Sequence, residues 1–284
     1  ATPRDISSDA PDIVSMDNPD LYGDRACHLP FSRAVKMGII CKFKIIFTAI
    51  TDTEVNRQLL KVGGVRGGID HVRAIQVAHQ IALVKAIKKY KLSNVFCFHN
   101  SVLASQSFVS EDDEGIASHM KGLKAYHVDG TQSSGVREAT IRESLLDPHS
   151  VVSNSKCLAE GVDVPACDCV GFIQPRKSAS DIVQIVGRAM RKHVDKDVGY
   201  LFVPIYIEQS EGETEEEAIN RTSFSQVVAV AGAMSLHSDE LQELLTVAGV
   251  QSGRGGIRGA VQQAFEEVAE FTGPSVTRKT LRKA

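Results

Sequence analysis

The residues best suited to chemistry lie in Ser180-Asp-Ile-Val-Gln-Ile-Val-Gly-Arg-Ala-Met-Arg191. At roughly 100° per residue, a helix through this stretch puts Gln184, Arg188 and Arg191 on one face. Ile182, Ile185, Val186 and Ala189 take the opposite face, which suits packing on a sheet. Two arginines about one turn apart form a double-cation fork, and their planar, permanently charged guanidinium groups match phosphate oxygens. Gly187 costs about 1 kcal/mol relative to Ala inside a helix, so a closely approaching backbone neighbour is expected there. The plainer alternative is an amphipathic helix with a solvated basic face.

Other polar residues sit where strands should end. Glu160-Gly-Val-Asp-Val-Pro165 reads as a loop, with Gly161 allowing a tight turn and Asp163 either turning it or serving a ligand. His99, Asn100 and Ser101 follow the apolar run Val95-Phe-Cys-Phe98, and Ser155 follows the run that begins at Ser150. For Ser155 a strand-end cap is the structural alternative. Lys61-Val-Gly-Gly-Val-Arg-Gly-Gly68 suits a hinge better than a phosphate cradle, because no Lys-Ser or Lys-Thr follows it.

Those groups need a scaffold, and the chain alternates helix and strand from residue 70 onward. Helices are expected over Val72–Lys91, Ala104–Phe108, Val136–Leu146 and Asp181–Lys192. Strands are expected at Val95–Phe98, Lys124–Val128, Ser150–Ser153, Cys169–Ile173 and Gly199–Ile207. This alternation predicts a parallel sheet covered on both faces. Before it come an Asp-, Ser- and Pro-rich loop over 4–24, a short strand over 26–31, and a helix from Arg33 to Met37 capped by Ser32 and ended by Gly38. A further strand is expected over Lys42–Ile50. After Glu208, Ala218–Ala248 and Ile257–Phe271 read as helices, and a basic tail closes the chain.

Composition narrows the function classes. In 284 residues, Lys plus Arg total 32 against 35 Asp plus Glu, which excludes a uniformly basic nucleic-acid coat but not a local basic track. Any such track would rest on a few arginines and hydroxyls gathered on one face. Aromatics are 6% with no Trp, so base-stacking platforms would be few. No apolar run is long enough to span a membrane. The six cysteines show no Cys-x-x-Cys pair or zinc spacing, so free buried thiols and an intracellular setting, cytoplasm or nucleus, are expected.

Gln-x-x-Gly-Arg-x-x-Arg following Glu-Gly-Val-Asp-x-Pro resembles motifs VI and V of the superfamily 2 helicases and translocases. Val95-Phe-Cys-Phe-His-Asn-Ser101 looks like motif IV. His127-Val-Asp-Gly130 with Arg137 is similar to a histidine, glycine and arginine block of the same families. The wording of motifs V and VI is closest to restriction-enzyme motor subunits. The resemblance covers residues 70–207 and implies an α/β fold, a RecA-like parallel sheet with helices on both faces, plus a helical C-terminal extension over 208–284. Residues 1–69 would hold the end of lobe 1 and the inter-lobe linker, with Ala1-Thr2-Pro3 as the tail of motif III.

The same resemblance implies roles. Arg191 would be the arginine finger and Arg188 its triphosphate-facing companion. Gln184, Gly161, Asp163 and Gly187 would serve the nucleotide side. Ser155, His99, Asn100 and Ser101 would contact the nucleic-acid backbone, with DNA favoured over RNA. The cofactors would be ATP and Mg²⁺, held mostly by lobe 1 of the same full-length chain. No phosphate-loop lysine motif and no Asp-Glu metal box occurs in this sequence. The chain alone is therefore expected to be inactive. The alternative is a non-catalytic RecA-like nucleic-acid-binding or scaffold module.

Overall fold

The structure is a computed structural model that describes residues 19–24, 29, 31–61, 71–111, 114–155, 164–174, 178–208, 210, 212–214, 217–218, 230, 233–234 and 269–272. The expectations for Ala1–Pro3, Val62–Gly68, the Gly161 and Asp163 loop, and the basic tail lie outside these residues.

Two short helices, α1 (Pro19–Tyr22) and α2 (Phe31–Lys36), precede the first strand. Phe31 was expected to close a strand and Ser32 to cap a helix starting at Arg33, but both lie inside α2, whose turn also takes in Ala34 for burial. Gly38 follows with φ +71°, the left-handed conformation that ends a helix at least cost in glycine.

Strand β1 (Lys42–Thr51) leads through α3 (Asp52–Lys61) to the long α4 (His71–Tyr90) and β2 (Asn94–His99). Helix α5 (Val102–Phe108), a short 3₁₀ turn at Ile116–His119, β3 (Lys124–Asp129), α6 (Ser134–Ser144) and β4 (Ser150–Ser155) follow. The order then runs β5 (Cys169–Phe172), α7 (Ala179–Ala189), β6 (Val198–Ile207) and β7 (Ala269–Thr272).

Among the described residues, seven strands form one sheet in the order β3-β4-β2-β5-β6-β1-β7, and every pair is parallel. Strand β1 pairs with β6 along its whole length, from Lys42 opposite Val198 to Thr51 opposite Ile207. Thus a segment lying before residue 70 shares the sheet of the α/β unit. The expected helix over Ile257–Phe271 is corrected at its end: Ala269–Thr272 is a strand, drawn out of helix by the open edge of β1, where Ile45–Thr48 supply its partners.

Side chains alternate between two cores, as a strand's two-residue period requires. From β1, Ile45, Phe47 and Ala49 join α7 on one face, while Ile46 and Ile50 join α4 on the other. From β2, Phe96 and Phe98 go one way and Val95 and Cys97 the other. Ala218, Val230, Ala233 and Met234 are buried in the core that holds α7, so these four residues pack on that face. The strands read as nearly continuous apolar runs for this reason: both faces are covered. Cys41, Cys97, Cys167 and Cys169 are buried free thiols, as expected of Cys97. Among the described residues, no helix is long and apolar enough to cross a membrane.

Candidate nucleotide and nucleic-acid edges

Helix α7 starts from Ser178, whose hydroxyl accepts the Asp181 N–H at 3.3 Å. Ile182, Ile185, Val186 and Ala189 are all buried against the sheet, while Gln184 is exposed and Gly187 and Arg188 are partly so. The two-faced reading of this helix therefore holds. Its length does not: α7 stops at Ala189 and Arg191 lies beyond it. The Met190 carbonyl accepts from the Cys41 N–H at 2.9 Å, and Arg191 forms an antiparallel bridge with Ile40. The segment before β1 competes successfully for the helix's last backbone groups. Arg191 is consequently held by main-chain pairing rather than by helical phase.

The expectation of a backbone neighbour at Gly187 is also corrected. Among the described residues, a Cβ there would meet no atom within 4 Å. The close approach falls at Gly199, at the start of β6, where a Cβ would stand 2.2 Å from the Ala189 carbonyl oxygen. Helix α7 is pressed onto β6 at its C-terminal end and leaves Gly187 open on its outer side.

The other candidate residues gather where β2, β3 and β4 end. His99 and Ser155 are register partners, and Ser155 also pairs with Asp129. Asn100 and Ser101 are exposed just beyond β2. The Asn100 N–H donates to Gln174 Oε1 at 2.7 Å, and Ser101 caps α5 by accepting the Ala104 N–H at 3.2 Å. His99 is 1% exposed with its ring 5.0 Å from that of Phe108, and Ser155 is 5% exposed. Asn100 and Ser101 thus form the accessible part of the group.

These two sets lie toward different edges of the sheet. Strand β5 ends near the carboxyl edge, and α7 runs back to the amino edge where β6 begins. Eleven helical residues cover about 16 Å at 1.5 Å each, so the arginines and the strand-end hydroxyls occupy opposite ends of α7.

A hydrogen-bonded chain that sequence reasoning missed stiffens the carboxyl edge. Ser153 Oγ lies 2.9 Å from Ser105 Oγ, which lies 3.0 Å from His127 Nδ1. His127 Nε2 is 2.8 Å from Asp129 Oδ2. Asp129 Oδ1 accepts from both the backbone N–H and the hydroxyl of Thr131, at 2.7 and 2.5 Å. Gln132 returns its amide oxygen to the Asp129 N–H at 3.2 Å, and Arg137 donates to the Gln132 carbonyl. The His127-Val-Asp-Gly130 block was visible in sequence; its partners on α5 and β4 are brought in only by sheet order.

Hydrogen bonds from Thr131, then His127, hold the Asp129 carboxyl down to about 2, from an ordinary 3.8. A depressed carboxylate contributes stability at pH above its unfolded value and loses it as pH falls through the folded one. The thermal midpoint is therefore expected to drop between pH 3.8 and about 2 through this group. Asp129→Asn should remove that component from a midpoint-against-pH series. An unchanged slope over the window would contradict the assignment.

Residues 78–193 match the family described as the helicase conserved C-terminal domain. This segment, less than half of the chain, is similar to a helicase C-terminal domain. Probable helicase A859L of African swine fever virus (isolate Tick/Malawi/Lil 20-1/1983) is 24% identical over 248 residues, covering 86% of this chain and 26% of that protein. The same protein from strain Badajoz 1971 Vero-adapted is 32% identical over 95 residues, which is 34% of this chain and 10% of that protein. The matches thus span about a quarter of one relative's length and a tenth of the other's. In fold, the chain resembles the ATP-dependent Type ISP restriction-modification enzyme LlaBIII bound to DNA, with a TM-score of 0.74 and 21% identity. That superposition covers 99% of this chain and 20% of the enzyme. The RecA-like fold expected from the motifs is present, shared with a restriction-modification enzyme.

Proposed function

We propose that this chain is the second motor lobe of an ATP-dependent helicase or translocase that acts on DNA. One observation carries the reading: α7 presents Gln184, Gly187 and Arg188 on its open side, with Arg191 fixed just beyond its end, while its apolar side is anchored on the sheet. A phosphate chain fits that surface. It offers guanidinium donors, an exposed amide, and an open glycine where a closing neighbour would otherwise meet a side chain. Among the described residues, no group of three His, Cys, Asp or Glu side chains is placed to hold a metal ion. In this reading the first lobe holds Mg²⁺.

In this reading ATP supplies the phosphoryl group whose cleavage drives the motor. Arg191 neutralises charge on that group across the cleft, and Arg188 and Gln184 orient it. Gly161 and Asp163 complete the nucleotide side from their loop. At the other end of α7, Asn100 and Ser101, backed by His99 and Ser155, hold the nucleic-acid backbone without reading its bases. The DNA bound to the structurally similar restriction enzyme supports DNA over RNA. The distance between the two edges gives lobe closure a lever, because a change at the arginines is carried along one rigid helix.

The test is ATP hydrolysis by the 284-residue chain and by the complete protein, each with and without duplex DNA. The complete protein is expected to hydrolyse ATP faster with DNA, and the chain alone to show no appreciable turnover. DNA-stimulated turnover by the chain alone would overturn the two-lobe assignment. Binding without turnover in the complete protein would favour the scaffold reading instead.

A further inference from the structure

The charge on α4 has one sign. Its 20 residues include Arg73, Lys85, Lys88 and Lys89 and no Asp or Glu. Arg73 pairs with Glu114 and Lys85 with Glu54. Lys88 and Lys89 stay exposed in the last turn, and exposed Lys91 follows. Because α4 returns the chain to the start of β2, this end lies at the amino edge of the sheet, where β1 also begins. Ile46 of β1 belongs to the core that holds α4, so two-residue alternation puts exposed Lys42 and Lys44 on the same side. No carboxylate among the described residues pairs with Lys42, Lys44, Lys88 or Lys91.

Two tyrosines join the lysines of the strand to those of the helix. Lys44 is the register partner of Tyr200, the rings of Tyr200 and Tyr90 lie 5.2 Å apart, and Lys89 Nζ is 5.1 Å from the Tyr90 ring centre. Lys91 has φ +53°, the one positive φ outside glycine among the described residues. The Leu92 N–H donates to the Ile87 carbonyl at 3.1 Å, a helix ending that glycine makes at least cost. A lysine gives up that ease and sets a cation beside Tyr90 and Tyr200, with which it lines one cavity. Asp168, Asp195 and Asp197 line the same cavity and bound the basic surface toward β5 and β6. Cations in a last turn answer the helix dipole, which accounts for Lys88 and Lys89. Lys42 and Lys44 belong to a strand and gain nothing from it.

We propose that Lys42, Lys44, Lys88, Lys89 and Lys91 form a surface that takes the phosphate backbone of a nucleic-acid duplex, at the sheet edge opposite Asn100 and Ser101. In a chain of net charge −3 this is a local basic track of the kind the composition allows. Ammonium groups on flexible stems follow a backbone as point charges and read no bases. The Tyr90 and Tyr200 rings are turned onto each other, so they offer no platform for unstacked bases, and a duplex fits better than a single strand. The proposal stands apart from the motor reading, since it needs neither ATP nor the arginines of α7.

The experiment measures binding of the 284-residue chain to duplex DNA and duplex RNA across a salt series, without ATP. Log affinity falls linearly with log salt, with about 0.9 of slope for each phosphate neutralised on a duplex. Lys88→Gln/Lys89→Gln/Lys91→Gln should flatten the slope by about 2 to 3, and Lys42→Gln/Lys44→Gln by about 1 to 2. Arginine at the same positions should keep the wild-type slope. Lys121→Gln/Lys124→Gln removes exposed charge at the opposite end of the strand order, beside β3, and should leave the slope unchanged. Lys91→Gly separates binding from structure: glycine suits φ +53°, so the thermal midpoint should rise while the slope flattens by about 0.9. These slopes with either duplex support the assignment. Absence of binding to both, tighter binding of a single strand, unchanged slopes in the glutamine variants, or equal flattening in the Lys121 and Lys124 control overturns it. Tighter binding of polyglutamate would point to an acidic protein and overturn it too. Should the glutamine variants fail to fold, acetylation of wild-type lysines decides. Duplex should shield the five lysines together and leave Lys121 and Lys124 reactive, and equal reactivity with and without duplex overturns the proposal.

Discussion

Arg191→Ala in the complete protein is expected to lower ATP turnover by about 10³-fold or more, the range seen when a finger arginine is removed from phosphoryl-transfer enzymes. ATP affinity should change little, because most of the nucleotide would be held by the first lobe. Arg191 is partly buried, and its backbone is pinned by the bridge to Ile40 and by the Met190–Cys41 hydrogen bond. A guanidinium carried on a fixed main chain loses little freedom when the cleft closes, and that preorganisation is what makes its charge effective. Arg191→Lys should not restore activity, since an ammonium on a flexible stem lacks the planar fork. Steady-state turnover alongside a nucleotide-binding titration checks both halves. Near-normal turnover in Arg191→Ala would remove the finger assignment, whatever happened to affinity.

Two glycines on either side of α7 should respond to alanine with opposite signs. At Gly199 the added Cβ would meet the Ala189 carbonyl oxygen at 2.2 Å and its carbon at 2.8 Å, and both are backbone atoms that cannot swing away. The end of α7 must then lift from β6. Overpacking of this kind costs about 1–3 kcal/mol. In a chain of this size that lowers the thermal midpoint by about 2–4 °C per kcal/mol. The lift also carries Arg188 and Arg191 out of place, so turnover in the complete protein should fall with stability.

Gly187→Ala meets nothing among the described residues and should stabilise the helix by up to about 1 kcal/mol, the ordinary helical preference for Ala. Turnover in the complete protein should nevertheless fall, because the open side of α7 is where the proposed cleft closes. Thermal melts of this chain and turnover of the complete protein separate the two effects. A Gly187→Ala protein that is both more stable and fully active would show that nothing closes on that face.

The elements were legible because their signals are local. Helix α4 and strands β2, β3, β4, β5 and β6 lie within a residue or two of the bounds read from apolar runs and turn residues. The apolar side of α7 was legible for the same reason: Ile182, Ile185, Val186 and Ala189 recur at helical spacing and are buried. Strand β7 was not, because Ala269–Thr272 has no strong local preference and is extended by its pairing with β1. The end of α7 was misread for a related reason. Helical phase carries Arg191 onto the face of Arg188, but the carbonyl of Met190 bonds to a segment nearly 150 residues earlier in the chain.

By itself, the sequence determined which groups are available: two arginines, a glutamine and a glycine in one motif, strand-end hydroxyls in others, and alternating elements that require a doubly covered parallel sheet. Only the tertiary structure decided how those groups are apportioned. It set the arginines and the hydroxyls at opposite ends of α7, moved the close approach from Gly187 to Gly199, ended α7 before Arg191, and placed β1 within the sheet. The physical reason is the range of the interactions involved. Side-chain periodicity and capping act within a few residues and can be read along the chain. Strand order, backbone bridges and buried donors depend on partners tens to hundreds of residues away, and no local pattern records which partner wins.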